Sequence, residues 1–261
     1  PSWEEAPVHR YNSLAYPCHK PVEKNTLPLS KTHAPQPPVD LLAYVWFSNQ
    51  KEALNFIISK FDKIKSPNNK FIFDIANFYK NSKKYNQAIK YYSLIINSLT
   101  NNAEIKSDLL YRRGGSYERL KDYSNADKDL LNALEINPDD AYVLNYLAYS
   151  WLERDYKIDQ AIEMLEKAYA SKSNDPYIID SIGWAYYLIN NFIKAEKFLK
   201  RAVELMPEDP VVNDHYGDIL WRLDRKIQAR YFWSTVLKME ETEQELKKKI
   251  QKKIVEGPKN S

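Results

Sequence analysis

The sequence predicts an all-α fold, a right-handed α-solenoid of tandem helix–turn–helix repeats with a C-terminal capping helix. The first observation is the pattern of residues 176–209, where two helical stripes of apolar residues are joined by a short polar turn. The stripes consist of Ile179, Ile182, Gly183 and Tyr186 in the first helix, and of Ala195, Leu199 and Ala202 in the second. One helix pair cannot bury both stripes alone, so the pattern requires further copies beside it.

The second observation is that small residues recur along the chain at a nearly constant interval. On the first helix of each unit the intervals are 38, 34, 35 and 34 residues, between Ala76, Gly114, Ala148, Gly183 and Gly217. On the second helix they are 38, 35, 34 and 34 residues, between Ala88, Ala126, Ala161, Ala195 and Ala229. We attribute the interval of 38 to an insertion at residues 103–106 that lengthens a connection. The interval of 35 indicates a longer turn at residues 154–157.

These intervals divide the chain into a repeat array with a flanking segment at each end. Residues 1–38 are rich in proline and show no helical or strand period, which predicts an extended or disordered arm. This arm is either a lead-in segment or a polyproline-type peptide ligand. Residues 39–68 are interpreted as a partial N-terminal repeat. The predicted array covers residues 69–243, with repeats at 69–102, 107–140, 141–175, 176–209 and 210–243.

The last element, residues 244–256, is predicted to be the capping helix. Its apolar residues, Leu246, Ile250 and Ile254, recur at spacing four, which gives one stripe facing the array and charge elsewhere. Its basic residues favour a second hypothesis, an adaptor that binds a membrane surface or nucleic acid through this helix. They are Lys247, Lys248, Lys249, Lys252 and Lys253.

Composition narrows the function classes. The 38 basic and 35 acidic residues nearly balance, so no strong nucleic-acid footprint is present and no nucleic-acid partner is expected. The single cysteine, Cys18, excludes an internal disulfide framework. No apolar run approaches the roughly 20 residues that span a bilayer. The presence of only 5 glycines predicts helices with little need for left-handed turn residues.

With these positions in hand, the chain resembles the tetratricopeptide repeat (TPR) family over residues 69–243. The run from Asn145 to Lys226 is also similar to TPR proteins of alphaproteobacterial type. That resemblance implies a bacterial periplasmic or cell-envelope location, with the cytoplasm as the alternative. The chain begins at Pro1 without a methionine, so we expect a fragment or a processed form.

The resemblance implies a concave groove, lined by the first helices, that binds a peptide segment of a partner. Positions two, five, nine and twelve of each repeat are expected to face it. The predicted groove residues are Phe73, Asn77, Tyr111, Asn145, Tyr149, Asp180, Trp184, Tyr187, Asp214, Asp218 and Trp221. Asn77 and Arg112 match two positions of the carboxylate clamp of chaperone-binding members, where Phe73 stands in place of a lysine. The acidic residues predicted in the groove, Asp180, Asp214 and Asp218, predict a partner that is neutral to basic. Formation of a homo-oligomer is left open.

No motif for catalysis or for a cofactor is recognised. Glycine-rich phosphate loops and the HExxH, CxxC and GxSxG patterns are absent from the sequence. His215 lies beside Asp214 and near Asp218, which would allow a weak metal site. We favour instead a solvated acidic patch within the groove, with His215 projecting sideways. The sequence therefore predicts a non-catalytic interaction scaffold with no metal and no cofactor.

Overall fold

The computed structural model describes residues 68–99, 101–240 and 242–258, and within these ranges all regular structure is α-helical. The chain divides into two compact units, with a boundary between Ile136 and Asn137. The N-terminal unit contributes helices α1 to α4, and the C-terminal unit contributes α5 to α11. The helices of the N-terminal unit are Asn69–Asn81 (α1), Tyr85–Ser98 (α2), Ala103–Arg119 (α3) and Tyr123–Ile136 (α4).

The C-terminal unit has the same helix-pair arrangement followed by one more helix. Its helices are Ala141–Leu152 (α5), Ile158–Ser171 (α6), Pro176–Leu188 (α7), Phe192–Leu205 (α8), Pro210–Arg222 (α9), Lys226–Lys238 (α10) and Gln244–Glu256 (α11). In each unit every first helix packs against its own second helix, and each second helix packs against the first helix that follows. The first helices α7 and α9 also contact each other, as do α5 and α7.

The first helices begin at residues whose side chains cap the backbone. The carboxylates of Asp140, Asp175 and Asp209 each accept hydrogen bonds from two backbone N–H groups of the following turn, at 2.8 to 3.3 Å. The amide oxygens of Asn68 and Asn102 each accept one. Such caps satisfy N–H groups that have no partner within the helix, and a carboxylate also favours the positive end of the helix dipole.

The turn inside each repeat follows the first helix with the same hydrogen-bond pattern. In every repeat one turn residue donates its N–H to a carbonyl five residues earlier, as Asp122 does to Tyr117 at 3.0 Å. The residue before it is left-handed. These left-handed residues are Lys83, Lys121, Asp155, Asn190 and Asp224, and Lys157 in the longest turn is left-handed as well. The expectation of few left-handed turn residues was therefore wrong, because the turns use them without glycine.

The small residues predicted to lie at helix contacts are buried. All five alanines of the second helices are fully buried, and so are Ala76 and Ala148 on the first helices. At the other first-helix positions, Gly114 faces Leu130, Gly183 faces Leu199 and Gly217 faces Trp233 of the partner helix. The space that a side chain would fill is taken by the second helix. The two helices of a repeat therefore approach closely only because these positions are small.

The insertion at residues 103–106 is not the longer connection that the spacing suggested. Helix α3 begins at Ala103 and runs for 17 residues, so the four residues form an extra first turn of a helix. Asn102 caps that turn by accepting a hydrogen bond from the N–H of Ile105. The longer turn predicted at residues 154–157 is present, since α5 ends at Leu152 and α6 begins at Ile158.

Some predictions fall on residues that are not described. The proline-rich arm at 1–38 and all but the last residue of the partial repeat at 39–68 lie outside the described ranges. Among the described helices, none combines the length and the apolar character needed to cross a membrane.

The left-handed turns lead to a stability prediction. Lys121→Gly should raise the free energy of unfolding by about 0.5–1 kcal/mol, because a left-handed side-chain residue costs about 1 kcal/mol that glycine avoids. Lys128→Gly, at an exposed position within α4, should lower it by a similar amount and serves as the matched control. Urea denaturation followed by circular dichroism measures both, and a destabilised Lys121→Gly would contradict the expectation.

The glycine contacts predict a graded series. A methyl group at Gly114 would lie 3.0 Å from Leu130 Cγ, one at Gly183 would lie 2.8 Å from Leu199, and one at Gly217 would overlap the indole of Trp233. Alanine at Gly217 should therefore cost about 1–3 kcal/mol of unfolding free energy, and alanine at Gly114 should cost the least. Equal losses at the three positions in thermal or urea unfolding would show that these contacts do not set the helix spacing.

Candidate functional site

The predicted groove residues fall into one group in each unit. Phe73, Asn77 and Tyr111 lie in the N-terminal unit, on α1 and α3. The other eight lie in the C-terminal unit, on α5, α7 and α9: Asn145, Tyr149, Asp180, Trp184, Tyr187, Asp214, Asp218 and Trp221. Seven of these eight are buried, and Trp221 is half-buried. In the C-terminal unit the structure joins residues from successive first helices through direct contacts.

A column of stacked rings connects α7 to α9. The imidazole of His215 stacks on the indole of Trp184, with ring centroids 4.2 Å apart and planes 13° apart. Trp184 in turn stacks on Tyr187, with centroids 4.7 Å apart. The hydroxyl oxygen of Tyr187 accepts a hydrogen bond of 3.1 Å from Arg222 Nε on α9. Tyr149 of α5 also lies near His215, at 6.5 Å between ring centroids. Three consecutive repeats therefore share one aromatic cluster.

His215 is also ion-paired across the same two helices. Its Nδ1 lies 2.8 Å from Asp180 Oδ2, and both side chains are fully buried. Burial by itself lowers the pKa of His215, but Asp180 raises it through charge attraction and the hydrogen bond. Asp214 and Glu153 add further negative charge, and the net result is a pKa above the ordinary value of 6.5. The ion pair thus extends the protonated form of the imidazole to higher pH than in a free histidine, and in that form it neutralises a buried carboxylate.

A second ion pair joins α9 to the C-terminal helix α11. Asp214 and Asp218 lie one helical turn apart, and Lys253 Nζ reaches both carboxylates, at 2.7 and 2.8 Å. Burial raises the pKa of Asp218 to about 6, where Lys253 opposes the rise and Asp214 adds to it. The two carboxylates raise the pKa of Lys253 against the opposing effect of burial. The ammonium group is therefore charged, and it holds two carboxylates that would repel each other without it.

Trp221 marks the end of this face beside α11. Its ring lies near the indole of Trp233, at 5.5 Å between centroids, and near the cationic groups of Lys226 and Arg230. Gly257, which ends α11 with a φ of 81°, lies directly against the Trp221 indole. A side chain at residue 257 would overlap that ring. Arg230 Nε also donates a hydrogen bond to the backbone oxygen of Ile254, at 2.9 Å.

The group in the N-terminal unit forms a separate polar network. Asn77 Oδ1 accepts hydrogen bonds from the Tyr92 hydroxyl, at 2.7 Å, and from Arg112 Nη1, at 3.4 Å. Arg112 is held mainly by Asp108, at 2.8 Å, and it lies over the ring of Phe73 at 5.2 Å. Two residues that match the carboxylate clamp are thus engaged within the unit. Tyr111 is buried.

The structure corrects the sequence-based view of the acidic positions. A solvated patch was expected, but Asp214 and Asp218 are buried and salt-bridged to Lys253. His215 was expected to project sideways without a partner, whereas it pairs with Asp180 from the preceding repeat. The sequence carried a signal for both pairs: Asp180 and His215 are 35 residues apart, about one repeat, and Lys249 and Lys253 repeat the spacing of the two aspartates. Among the described residues no group of side chains is arranged to hold a metal ion.

The basic run of α11 does not form one uniform surface. Lys253 is enclosed in its ion pair, while Lys247 and Lys249 are half-buried. Burial lowers the pKa of Lys249, with Glu245 and Glu153 opposing that change. Lys248 and Lys252 remain exposed. A surface that binds phosphate groups would present its lysines together in solvent. Here the lysines of α11 are partly buried and partly exposed, which gives no specific support to the membrane or nucleic-acid hypothesis.

The fold defines a helical-repeat protein, and comparison with known proteins specifies the repeat. The tetratricopeptide repeat family model matches residues 70–97, 107–140 and 178–209. These three stretches therefore match TPR repeats, and the predicted fold class, an all-α array of helix–turn–helix units, is confirmed for the described residues.

Similar proteins come from bacteria and archaea. A TPR repeat-containing protein of Pseudomonas aeruginosa is 33% identical over 111 residues, which cover 42% of this chain and 19% of that protein. One of Methanocaldococcus jannaschii is 38% identical over 85 residues, which cover 33% of this chain and 14% of that protein. The chain thus spans less than a fifth of the length of these relatives. A crystal structure of a thermophilic TPR protein from Thermus thermophilus matches with a TM-score of 0.59 and 14% identity, covering 70% of this chain and 97% of that chain, and shows likeness of fold alone.

The Asp180–His215 pair predicts a measurable titration. Asp180→Asn should lower the pKa of His215. Burial lowers this pKa, and the variant removes the carboxylate that raises it. The pair contributes its stability in full below about pH 6.5, the unfolded pKa, and loses it as pH rises through the higher folded value. NMR titration of the His215 Cε1 proton measures the shift. Asp159→Asn, at an exposed position on α6, is the control and should leave the titration unchanged.

Proposed function

We propose that this chain is a non-catalytic interaction scaffold whose C-terminal unit binds a segment of a partner protein on the face formed by α5, α7 and α9. The TPR fold in general supports protein–protein interaction. The partner is proposed to be neutral to basic at the α9 end of this face. No nucleic acid, metal or cofactor is part of the proposal.

The observation that carries the proposal is the composition of this one face. Successive first helices place rings and carboxylates next to each other, with Trp184 and Tyr187 stacked and Asp180, Asp214 and Asp218 following along the repeats. Rings alone can serve packing, as Trp233 does over Gly217, but packing does not call for carboxylates beside them, because a buried charge loses its hydration. Aromatic rings with polar edges give large contact areas at a small entropic cost and also bond to a peptide backbone.

The charge of the same face supports the expected chemistry of the partner. Its three buried aspartates are each held by a cation or an imidazole of the chain itself: Asp180 pairs with His215, and Asp214 and Asp218 pair with Lys253. Lys253 carries one positive charge against the two carboxylates of Asp214 and Asp218, so this group keeps a net negative charge, which favours a cationic partner side chain over an anionic one. A lysine or arginine of a partner suits this environment.

The test begins with identification of the partner by chemical crosslinking and mass spectrometry in the native cell. Affinity of the purified partner is then measured for the wild-type chain and for the Trp184→Ala/Asp214→Ala variant. Both side chains are buried directly beneath this face and hold its rings and charges in place, so their loss should deform the face and weaken binding by roughly tenfold or more.

The control for this measurement lies on the second helices. Ile193 on α8 is 84% exposed and Ile227 on α10 is 86% exposed, so Ile193→Ala/Ile227→Ala removes apolar surface away from the proposed face. This variant should bind the partner as the wild type does. Full affinity in the Trp184→Ala/Asp214→Ala variant, with helicity intact by circular dichroism, would reject the proposed face.

A further inference from the structure

Helix α11 is docked by a small number of contacts. Only Leu246 and Ile250 of its side chains are buried apolar groups, and the rest of the helix is strongly charged. By comparison, α8 buries Ala195, Leu199, Ala202 and Val203. The remaining attachment of α11 lies near its C-terminal end, where Lys253 meets Asp214 and Asp218 and where Gly257 packs against Trp221.

The receiving surface has the features of a site built for a lysine on a helix. Two carboxylates one turn apart on α9 enclose one ammonium group, at 2.7 and 2.8 Å. Arg230 donates to the backbone oxygen of Ile254, one residue beyond that lysine. Trp221 lies against the backbone at Gly257, which leaves room only for glycine. The two carboxylates therefore bind a lysine side chain, and Arg230 and Trp221 contact the backbone at the end of the helix.

We propose that this end of the C-terminal unit is a binding site for an amphipathic helix that carries a lysine. Helix α11 occupies the site in the same chain, and a partner helix of the same pattern competes with it. The pattern is read from α11: two apolar residues four apart, as at Leu246 and Ile250, a lysine three residues later and a glycine four residues after that. The existence of a competing partner helix rests on the proposed function. The binding of α11 at this site is independent of that function.

Charge explains why a competitor can succeed. The lysine–aspartate contacts would form equally well with an ammonium group from another chain, so displacement of α11 exchanges one ion pair for another. Loss of the cation without replacement is unfavourable, because two buried carboxylates would face each other uncompensated. The site therefore discriminates in favour of a segment that brings its own lysine. An apolar helix without that lysine should not displace α11.

The first experiment measures docking of α11 in the full chain. Hydrogen–deuterium exchange of the α11 amides should become at least roughly tenfold faster in Lys253→Met, which keeps an unbranched side chain, one atom shorter, and removes its charge. Lys252→Met, the exposed neighbour with the same charge change, should leave exchange unchanged. Asp218→Asn, which weakens the site from the α9 side, should also accelerate exchange in α11. Wild-type exchange in both Lys253→Met and Asp218→Asn overturns the proposal.

The second experiment supplies the helix from outside. A fluorescein-labelled synthetic peptide of residues 242–258 should bind the Lys253→Met chain roughly tenfold or more tightly than it binds the wild type or Lys252→Met. The same peptide with methionine in place of its lysine at 253 should lose that advantage. Equal binding of the peptide to the wild-type and Lys253→Met chains overturns the occupancy of the site by α11.

These readouts separate the inference from the proposed function. Neither exchange nor peptide binding uses the natural partner, so a failed partner capture does not change their result for α11. Once a partner is purified, Lys253→Met should raise its affinity, since the internal competitor is weakened. Unchanged affinity of a partner that does bind the α5, α7 and α9 face would overturn the competition and leave the interaction function standing.

Discussion

The close approach of the two helices within each repeat is the constraint on which the rest of the structure depends. It requires a small residue on the first helix at the crossing, and each described repeat supplies one, as at Ala148 of α5 and at Gly183, which faces Leu199 of α8. Because the hairpins are tightly closed, each first helix is held against its neighbours at a fixed distance. That fixed distance is what lets a carboxylate on α7 meet an imidazole on α9.

The C-terminal unit places charge in its interior and compensates it across repeats. Asp180 and His215 join α7 to α9, and Lys253 joins α11 to two carboxylates of α9. Such pairs add little net stability, because each charge has lost its hydration, but they penalise any arrangement that separates the partners. We therefore expect them to act more on the alignment of the helices than on the free energy of unfolding. The same groups supply the polarity that a partner would read.

The repeat architecture could be predicted from the sequence because it depends on local periodicity and on a recurring interval. Apolar stripes and small residues indicate helix contacts wherever they occur. Ala161, Ala195 and Ala229 were predicted at such contacts, and they are buried. For the candidate site, the sequence predicted which helices carry the residues, but it did not predict their burial or their ion-pair partners. Whether Asp214 meets water or Lys253 depends on how α11 packs, and no spacing within α9 contains that information. The extra turn of α3 was missed for a related reason, since four added residues fit a loop or a helix equally well.

The left-handed residues of the turns have a consequence for how the hairpins can fail. Lysine favours the right-handed helical conformation. Lys83 and Lys121 instead adopt the left-handed conformation, at a cost of about 1 kcal/mol or more each. Contact between the two helices of the repeat supplies the opposing free energy. A hairpin whose helices separate would relax by straightening through its turn into one continuous rod. Its second half would then be presented to the complementary half of another copy, so these turns are the places where an exchange of helices between molecules would begin.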